Sequence, residues 1–232
     1  MKTLKDICIT DTPFYGEKKD GTLYLTKTDA GCTVGNYLIE KPELTDWEYL
    51  EKVYNRIIGE PLEIARTDRI IVREPVLADA SDLYRIMQLP EVNRFVDDFP
   101  VNYADFCEKL DAYRTAFDYY DCGFWSVIEI STGKLIGRCG IQYSTIDTEI
   151  LPELGFLLDP EYEGKGLAYD ASCVALDYAY DYLGEDVIYA RVREDNRKSI
   201  NLLKRLGFEK NELKIMPENV ILYCKYRPLQ GK

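Results

Sequence analysis

The chain of 232 residues contains no histidine. Without an imidazole it cannot form a Ser-His-Asp triad, a Cys-His nucleophile pair or a His-ligated zinc site. It also lacks a side chain that ordinarily exchanges protons near neutral pH. Any acid–base chemistry must therefore use carboxylates, tyrosine, lysine, cysteine, water or backbone groups.

The sequence also lacks an apolar run long enough to span a membrane, and its N-terminus lacks the apolar core of a signal peptide. Its seven cysteines are odd in number, scattered and never spaced as C-x-x-C, which favours neither a disulfide framework nor a zinc knuckle. These absences predict a cytoplasmic protein with reduced thiols, no membrane association and no metal.

Positive charge is scarce overall, since 41 acidic side chains face 29 basic ones and the net charge is −12. This balance argues against nucleic-acid binding, which requires basic side chains to neutralise phosphates. It is compatible with cationic substrates and equally with a simple solubility role. The charge is uneven: residues 91–130 hold nine acids and three bases, whereas residues 191–214 hold eight bases and four acids.

Two domains are predicted from the pattern of apolar segments and breakers. Residues 1–66 contain three short strand-like runs and a helical stretch, and they are interpreted as a small α/β appendage. Residues 67–232 follow the order β-α-α-β-β-β-α-β-α-β-β, which indicates an α/β (α+β) fold with a mixed sheet flanked by helices.

The segment most indicative of chemistry is a strand that enters a loop with two glycines, Gly164 and Gly166, just before a long helix. Glycine allows the backbone to approach a ligand closely, and the free amides at a helix start favour an anion such as pyrophosphate. A P-loop would need Ser or Thr at position 166, and a dinucleotide fingerprint would need a third glycine near Tyr169. The loop therefore belongs to neither of these classes.

Four motifs in order resemble the Gcn5-related N-acetyltransferases (GNAT), and specifically the branch of ribosomal-protein N-terminal acetyltransferases. They are PELGFLLD at 152–159, EYEGKGLA at 161–168, ARVREDNRKS at 190–199 and LLKRLGF at 202–208. The resemblance covers about residues 69–227, and it implies the acyl-CoA N-acyltransferase fold with acetyl-CoA as cosubstrate.

By this resemblance, acetyl-CoA lies between two splayed parallel strands. The implied contacts are backbone groups of the strand with the pantetheine arm, amides of the glycine loop with the pyrophosphate, and two residues that contact or shape the pantetheine channel. The corresponding residues are Leu157 and Leu158 for the strand, Gly164, Lys165, Gly166, Leu167 and Ala168 for the loop, and Asn196 and Ser199 for the channel.

The same resemblance makes Glu153 the candidate general base, acting directly or through a water, because this branch commonly has glutamate there. The chain departs from the family at Glu161, where Gln or Arg is usual, and at Leu203, where a tyrosine often serves as general acid. Phosphate binding is therefore expected to depend more on backbone amides and Lys165, and the leaving thiolate is expected to take its proton from solvent or from the amine.

The acceptor is expected to be a primary amine, carried by a small molecule or a peptide. Asp97 and Asp98, in the acidic segment between two helices, are expected to line an amine-binding mouth with Tyr143 opposite. Candidate acceptors include a protein N-terminus, an aminoglycoside, a polyamine and an amino-acid-like metabolite. A homodimer is possible, and the alternative function is a catalytically impaired sensor or interaction module that binds acyl-CoA.

Overall fold

The structure is a computed structural model, and the chain divides in it into two compact units, Met1–Glu63 and Ile64–Lys232. The sequence placed the domain boundary slightly later, after residue 66. The residues that the structure describes are 2–34, 37–96, 99–212, 214 and 216–228, without the side chains of 114–116 and 118.

The smaller unit contains a four-stranded sheet in which the strands lie in sequence order. The first two strands are parallel, and the other neighbours are antiparallel. The sequence predicted three strands here, whereas the last apolar run forms two, on either side of residues 35 and 36. The strands are β1 (Asp6–Thr10), β2 (Thr22–Thr28), β3 (Gly31–Val34) and β4 (Tyr37–Ile39).

Helix α1 (Trp47–Ile57) completes the smaller unit. It begins after Asp46, whose carboxylate accepts hydrogen bonds from the amides of Glu48 and Tyr49 and so satisfies donors of the first turn. The helix buries an apolar stripe in the same cluster as the inward side chains of β2, and this cluster forms the core of the unit.

The larger unit is built on a mixed sheet, as the order of elements predicted, but the sheet has eight strands instead of seven, because Glu63–Arg66 adds a strand at one edge. The strands are β5 (Glu63–Arg66), β6 (Ile70–Arg73), β7 (Phe124–Glu129), β8 (Leu135–Ile146), β9 (Glu149–Leu158), β10 (Val187–Arg193), β11 (Glu209–Asn211) and β12 (Val220–Tyr226). Across the sheet they lie in the order β11-β12-β10-β9-β8-β7-β6-β5.

The predicted order of elements contains four helices in this unit, and the structure adds a fifth, short one after Leu89. A separate short turn of helix begins there at Pro90, because proline is well tolerated at the first helical position. None of the described helices is both long and apolar enough to cross a membrane. The helices are α2 (Ala80–Gln88), α3 (Pro90–Asn93), α4 (Tyr103–Tyr120), α5 (Leu167–Asp181) and α6 (Arg197–Arg205).

The two faces of the sheet carry different helices. Successive residues of a strand point to opposite faces, so β9 places Leu154 and Leu158 in the core cluster of α5, whereas Leu157 packs against the cluster of α2 and α4. Ala171 and Ala175 of α5 are fully buried in the first cluster. The face of Leu157 is therefore the one that lies under α2 and α4.

Strands β9 and β10 separate soon after they meet. Strand β9 pairs with β8 along all ten of its residues, Glu149–Leu158. In contrast, β9 and β10, which are parallel and described throughout, pair only where Glu153 meets Tyr189. Beyond Glu153 a gap opens in the middle of the sheet, and this gap positions the site described next.

Candidate active site

A cavity of about 1450 Å³ occupies the gap between β9 and β10 and continues to both sides of it. Its volume exceeds the several hundred cubic ångströms that a drug-sized ligand usually fills. Among the predicted residues that line the cavity are Glu153, Leu157, Leu158, Gly164, Gly166, Leu167, Ala168, Asn196 and Ser199. One continuous space therefore joins the candidate base to the glycine loop.

The glycine loop ends at the start of α5 with two left-handed residues, Gly164 at φ +71° and Gly166 at φ +79°. Gly166 is the N-cap and has no side chain to bond the first amides of the helix. These amides lie at the positive end of a 15-residue helix and face the cavity, so they provide an anion site. Lys165, in contrast, is not a lining residue, and its ammonium lies 4.5 Å from the centre of the Tyr162 ring.

Arg69, which lies far from the glycine loop in the sequence, holds the loop through contacts of its guanidinium. Its guanidinium donates to the carbonyl of Lys165 at 2.6 Å and pairs with Asp170 of α5, with Nη2 2.6 Å from Oδ2. The sequence did not predict this role of Arg69, because the residue lies about a hundred positions before the loop and no local spacing connects the two.

Replacing Arg69 with alanine is expected to raise the KM for acetyl-CoA about tenfold, because each lost hydrogen bond from a charged group costs roughly 1.5–3 kcal/mol and the loop becomes less ordered. The kcat should stay close to that of the wild type, since Arg69 contacts no reacting group. Steady-state kinetics and the melting temperature of Arg69→Ala check this. A loss in kcat with an unchanged KM would contradict the bracing role.

The exposed edge of β9 presents particular backbone groups to the gap. The amide of Asp159 donates to the carbonyl of Ile136 on the β8 side at 2.8 Å. Because backbone groups alternate along a strand, Leu157 also faces β8, whereas Phe156 and Leu158 direct their amides and carbonyls into the gap. The structure therefore favours Phe156 and Leu158 as the residues that could pair with an extended ligand, and Leu157 contributes its side chain.

The start of α6 forms the opposite wall. The side chain of Asn196 accepts a hydrogen bond from the amide of Ser199 at 3.2 Å, so it caps the helix while lining the cavity. Lys198 pairs with Glu163 of the glycine loop, and the guanidinium of Arg205 lies 4.2 Å from the centre of the Tyr169 ring. Basic side chains from the predicted positive segment thus border the end of the cavity near α5.

Glu153 is buried and held by a two-pronged ion pair. Its Oε2 accepts from Nη2 of Arg191 at 2.7 Å, and its Oε1 accepts from Nε at 2.9 Å and from the Arg191 amide at 3.2 Å. A carboxylate has about four acceptor sites and these bonds use three, two on Oε1 and one on Oε2, so one site on Oε2 is left for a water. The geometry fixes Glu153 exactly where β9 and β10 diverge, and its role as base stays a prediction.

Of the three residues predicted for the acceptor, the structure describes only Tyr143. Asp97 and Asp98 lie outside the described residues. Tyr143 is absent from the cavity lining, and its hydroxyl donates to Glu185 in the loop after α5. Burial and this contact raise the pKa of Tyr143. Tyr143 therefore has no support as an acceptor-binding residue.

Arg138 faces the cavity on the side of α2 and α4 instead. Its guanidinium lies 4.3 Å from the ring centre of Phe124 and 5.9 Å from that of Tyr113 in α4. Burial lowers the pKa of Arg138, and Tyr113 opposes part of this shift. Arginine stays ionised at physiological pH, so this part of the cavity holds a fixed positive charge.

The buried cysteines are poor nucleophiles. Burial raises the pKa of Cys139 to about 12 and that of Cys122 to about 11, and the thiolate is the reactive form. None of the seven cysteines is in a disulfide. In the described part of the chain, no group of three or more Cys, Asp or Glu side chains is arranged to hold a metal ion.

A splayed pair of parallel strands, a glycine loop at a helix start and a carboxylate at the point of divergence define a class of acyltransferases that use CoA thioesters. The chain belongs to the GNAT acetyltransferase family, because the model described as "Acetyltransferase (GNAT) domain" matches residues 69–209. This membership confirms the family predicted from the four motifs, and with it acetyl transfer to an amine as the general activity.

Individual relatives agree with this assignment. The chain is 31% identical over 156 residues to an uncharacterized N-acetyltransferase p20 of Bacillus licheniformis. This alignment covers 66% of this chain and 85% of that protein. An acetyltransferase structure from Agrobacterium tumefaciens aligns with a TM-score of 0.62 at 24% identity, covering 70% and 94% of the two chains. The structure of a ribosomal-protein-S5-alanine acetyltransferase from Vibrio fischeri aligns with a TM-score of 0.59 at 21% identity, and the alignment covers 72% of this chain and 98% of that one.

Proposed function

We propose that the chain binds acetyl-CoA along the gap between β9 and β10 and transfers the acetyl group to a primary amine in a ternary complex. The divergence of the strands at Glu153 carries this proposal. The pantetheine arm would extend along Phe156 and Leu158, and the pyrophosphate would meet the amides of Gly164–Ala168. The acceptor would enter from the face of α2 and α4.

In the proposed reaction the amine nitrogen attacks the thioester carbonyl, the new N–C bond forms and the C–S bond breaks. Glu153 takes the proton lost by the amine, directly or through a water. An acceptor that arrives as an ammonium loses this first proton to Glu153 before the attack and a second one after the N–C bond has formed. The thiolate takes the second proton or one from solvent, because Leu203, at the family's usual acid position, is fully buried and carries no hydroxyl. The raised thiol pKa values of Cys122 and Cys139 support direct attack without an acyl-enzyme.

The test is a thiol-release assay with acetyl-CoA across amine classes, combined with melting temperatures. We expect acetyl-CoA to raise the melting temperature and at least one amine class to release thiol. Stabilisation without release from any class would favour the alternative of a sensor that has lost catalysis. An unchanged melting temperature together with no release would exclude both functions. The chain is proposed to work in the cytoplasm, where acetyl-CoA is available.

A further inference from the structure

The cation of Arg138 has no carboxylate partner among the residues that the structure describes. Two other arginines of the larger unit do have one, the half-buried Arg73 and the exposed Arg85. Arg73 pairs with Asp79 at 2.7 Å and Arg85 pairs with Asp159 at 2.9 Å, in each case with a buried carboxylate. Arg138 is half-buried, and the Phe124 ring and the side chain of Tyr113 compensate only part of the cost of removing its charge from water. The site therefore favours an anion from outside the chain.

The guanidinium is also held in a fixed position. Phe124 lies directly over Gly155 of β9, where an added Cβ would come within 2.4 Å of the ring. The Tyr113 ring meets Phe124 edge to face, with centres 6.3 Å apart. Because Phe124 rests on a backbone without a side chain and Tyr113 closes its edge, the ring forms a rigid platform for Arg138. A planar fork held in this way suits a carboxylate, which it can bind through two parallel hydrogen bonds.

The platform lies near the proposed reaction centre. Phe124 is level with Gly140, which pairs with Gly155. Gly155 is two residues beyond Glu153, which corresponds to about 7 Å along the strand. Arg138 pairs with Leu157 of β9, and its guanidinium lies over the Phe124 ring. A small molecule with an amine at one end and a carboxylate at the other can therefore extend from Glu153 toward the guanidinium.

Resting on the proposed function, we propose that Arg138 binds a carboxylate of the acceptor, so that the substrates are small amines that also carry a carboxylate, such as amino acids. Of the candidate acceptors, this proposal favours the amino-acid-like metabolite. A polyamine would bring positive charge against Arg138, and like charges at close range are unfavourable.

The experiment compares each amino acid with its carboxamide and its decarboxylated amine at saturating acetyl-CoA. We expect kcat/KM to favour the acid over the amide by at least about tenfold. Arg138→Gln should remove most of this preference by lowering the rate with the acid alone, while the KM for acetyl-CoA stays within about twofold. Arg138→Lys, which keeps the charge without the fork, should fall between the two.

The matched control is Arg227→Gln, which removes an arginine from an ion pair with the exposed Asp181 outside the cavity and should keep the preference. Arg138→Met provides a second variant with an apolar side chain if Arg138→Gln does not fold, and melting temperatures identify this case. Equal rates with acid and amide, or an equal loss of both in the variants, would overturn the carboxylate site. No thiol release from any amine would instead overturn the proposed function itself.

Discussion

Replacing Glu153 with glutamine is expected to lower the kcat of acetyl transfer about 100-fold or more, because general-base catalysis commonly contributes 10²–10⁴ in rate. Glutamine has nearly the same shape and retains one oxygen for Arg191, so the strands should still diverge at this point. The affinity for acetyl-CoA should therefore change little. Steady-state kinetics and calorimetric titration with acetyl-CoA measure the two quantities separately.

The Glu153→Gln experiment requires a control, because a buried carboxylate that is paired with Arg191 can also have a purely structural role. Arg191→Gln breaks the same pair but leaves the carboxylate in place. If Glu153 is the base, Glu153→Gln should lose much more kcat than Arg191→Gln. Equal losses of kcat in the two variants, accompanied by weaker acetyl-CoA binding, would show that the ion pair has a structural role only.

The pH dependence separates the roles further. An acceptor amine that loses its proton spontaneously at high pH no longer needs a base. The rate of Glu153→Gln should therefore rise with pH toward that of the wild type, and the rise should occur at lower pH with a less basic amine. A deficit that is constant across pH would contradict the assignment of Glu153 as base.

The sequence was most informative where function depends on local order. Gly164 and Gly166 precede an apolar-striped helix, and a loop of this kind predicts an anion site without knowledge of the rest of the fold. The family motifs likewise located the strand that diverges at Glu153. In these cases the residues that act together are neighbours along the chain or share one strand.

The acceptor side could not be predicted in the same way. Arg138 and Phe124 lie on different strands and Tyr113 on a helix, so only the register of β7 with β8 and the packing of α4 bring them together. Charge counted along the sequence predicted an acidic mouth at Asp97 and Asp98, which lie outside the described residues, and it did not indicate that Arg138 faces the cavity. Arg69 shows the same limit, since its contact with the glycine loop is visible only in three dimensions.

The glycine loop offers a prediction with a closely matched control. Gly164→Ala is expected to weaken acetyl-CoA binding about 100-fold, because the methyl group would stand on the backbone where the pyrophosphate should approach, and each lost charge-assisted hydrogen bond costs roughly 1.5–3 kcal/mol. Gly184, after α5, has φ +76° against +71° at Gly164, and an added Cβ meets nothing within 4 Å at either position.

Both alanine variants should therefore lose a similar amount of stability, about 1–2 kcal/mol, from the left-handed backbone alone. Only Gly164 lines the cavity, so only Gly164→Ala should lose affinity for acetyl-CoA. Chemical denaturation measures the shared cost, and calorimetric titration with acetyl-CoA measures the difference. Equal affinities in the two variants would show that the pyrophosphate does not approach the backbone at Gly164, and the anion site would then have to begin later, at the first amides of α5.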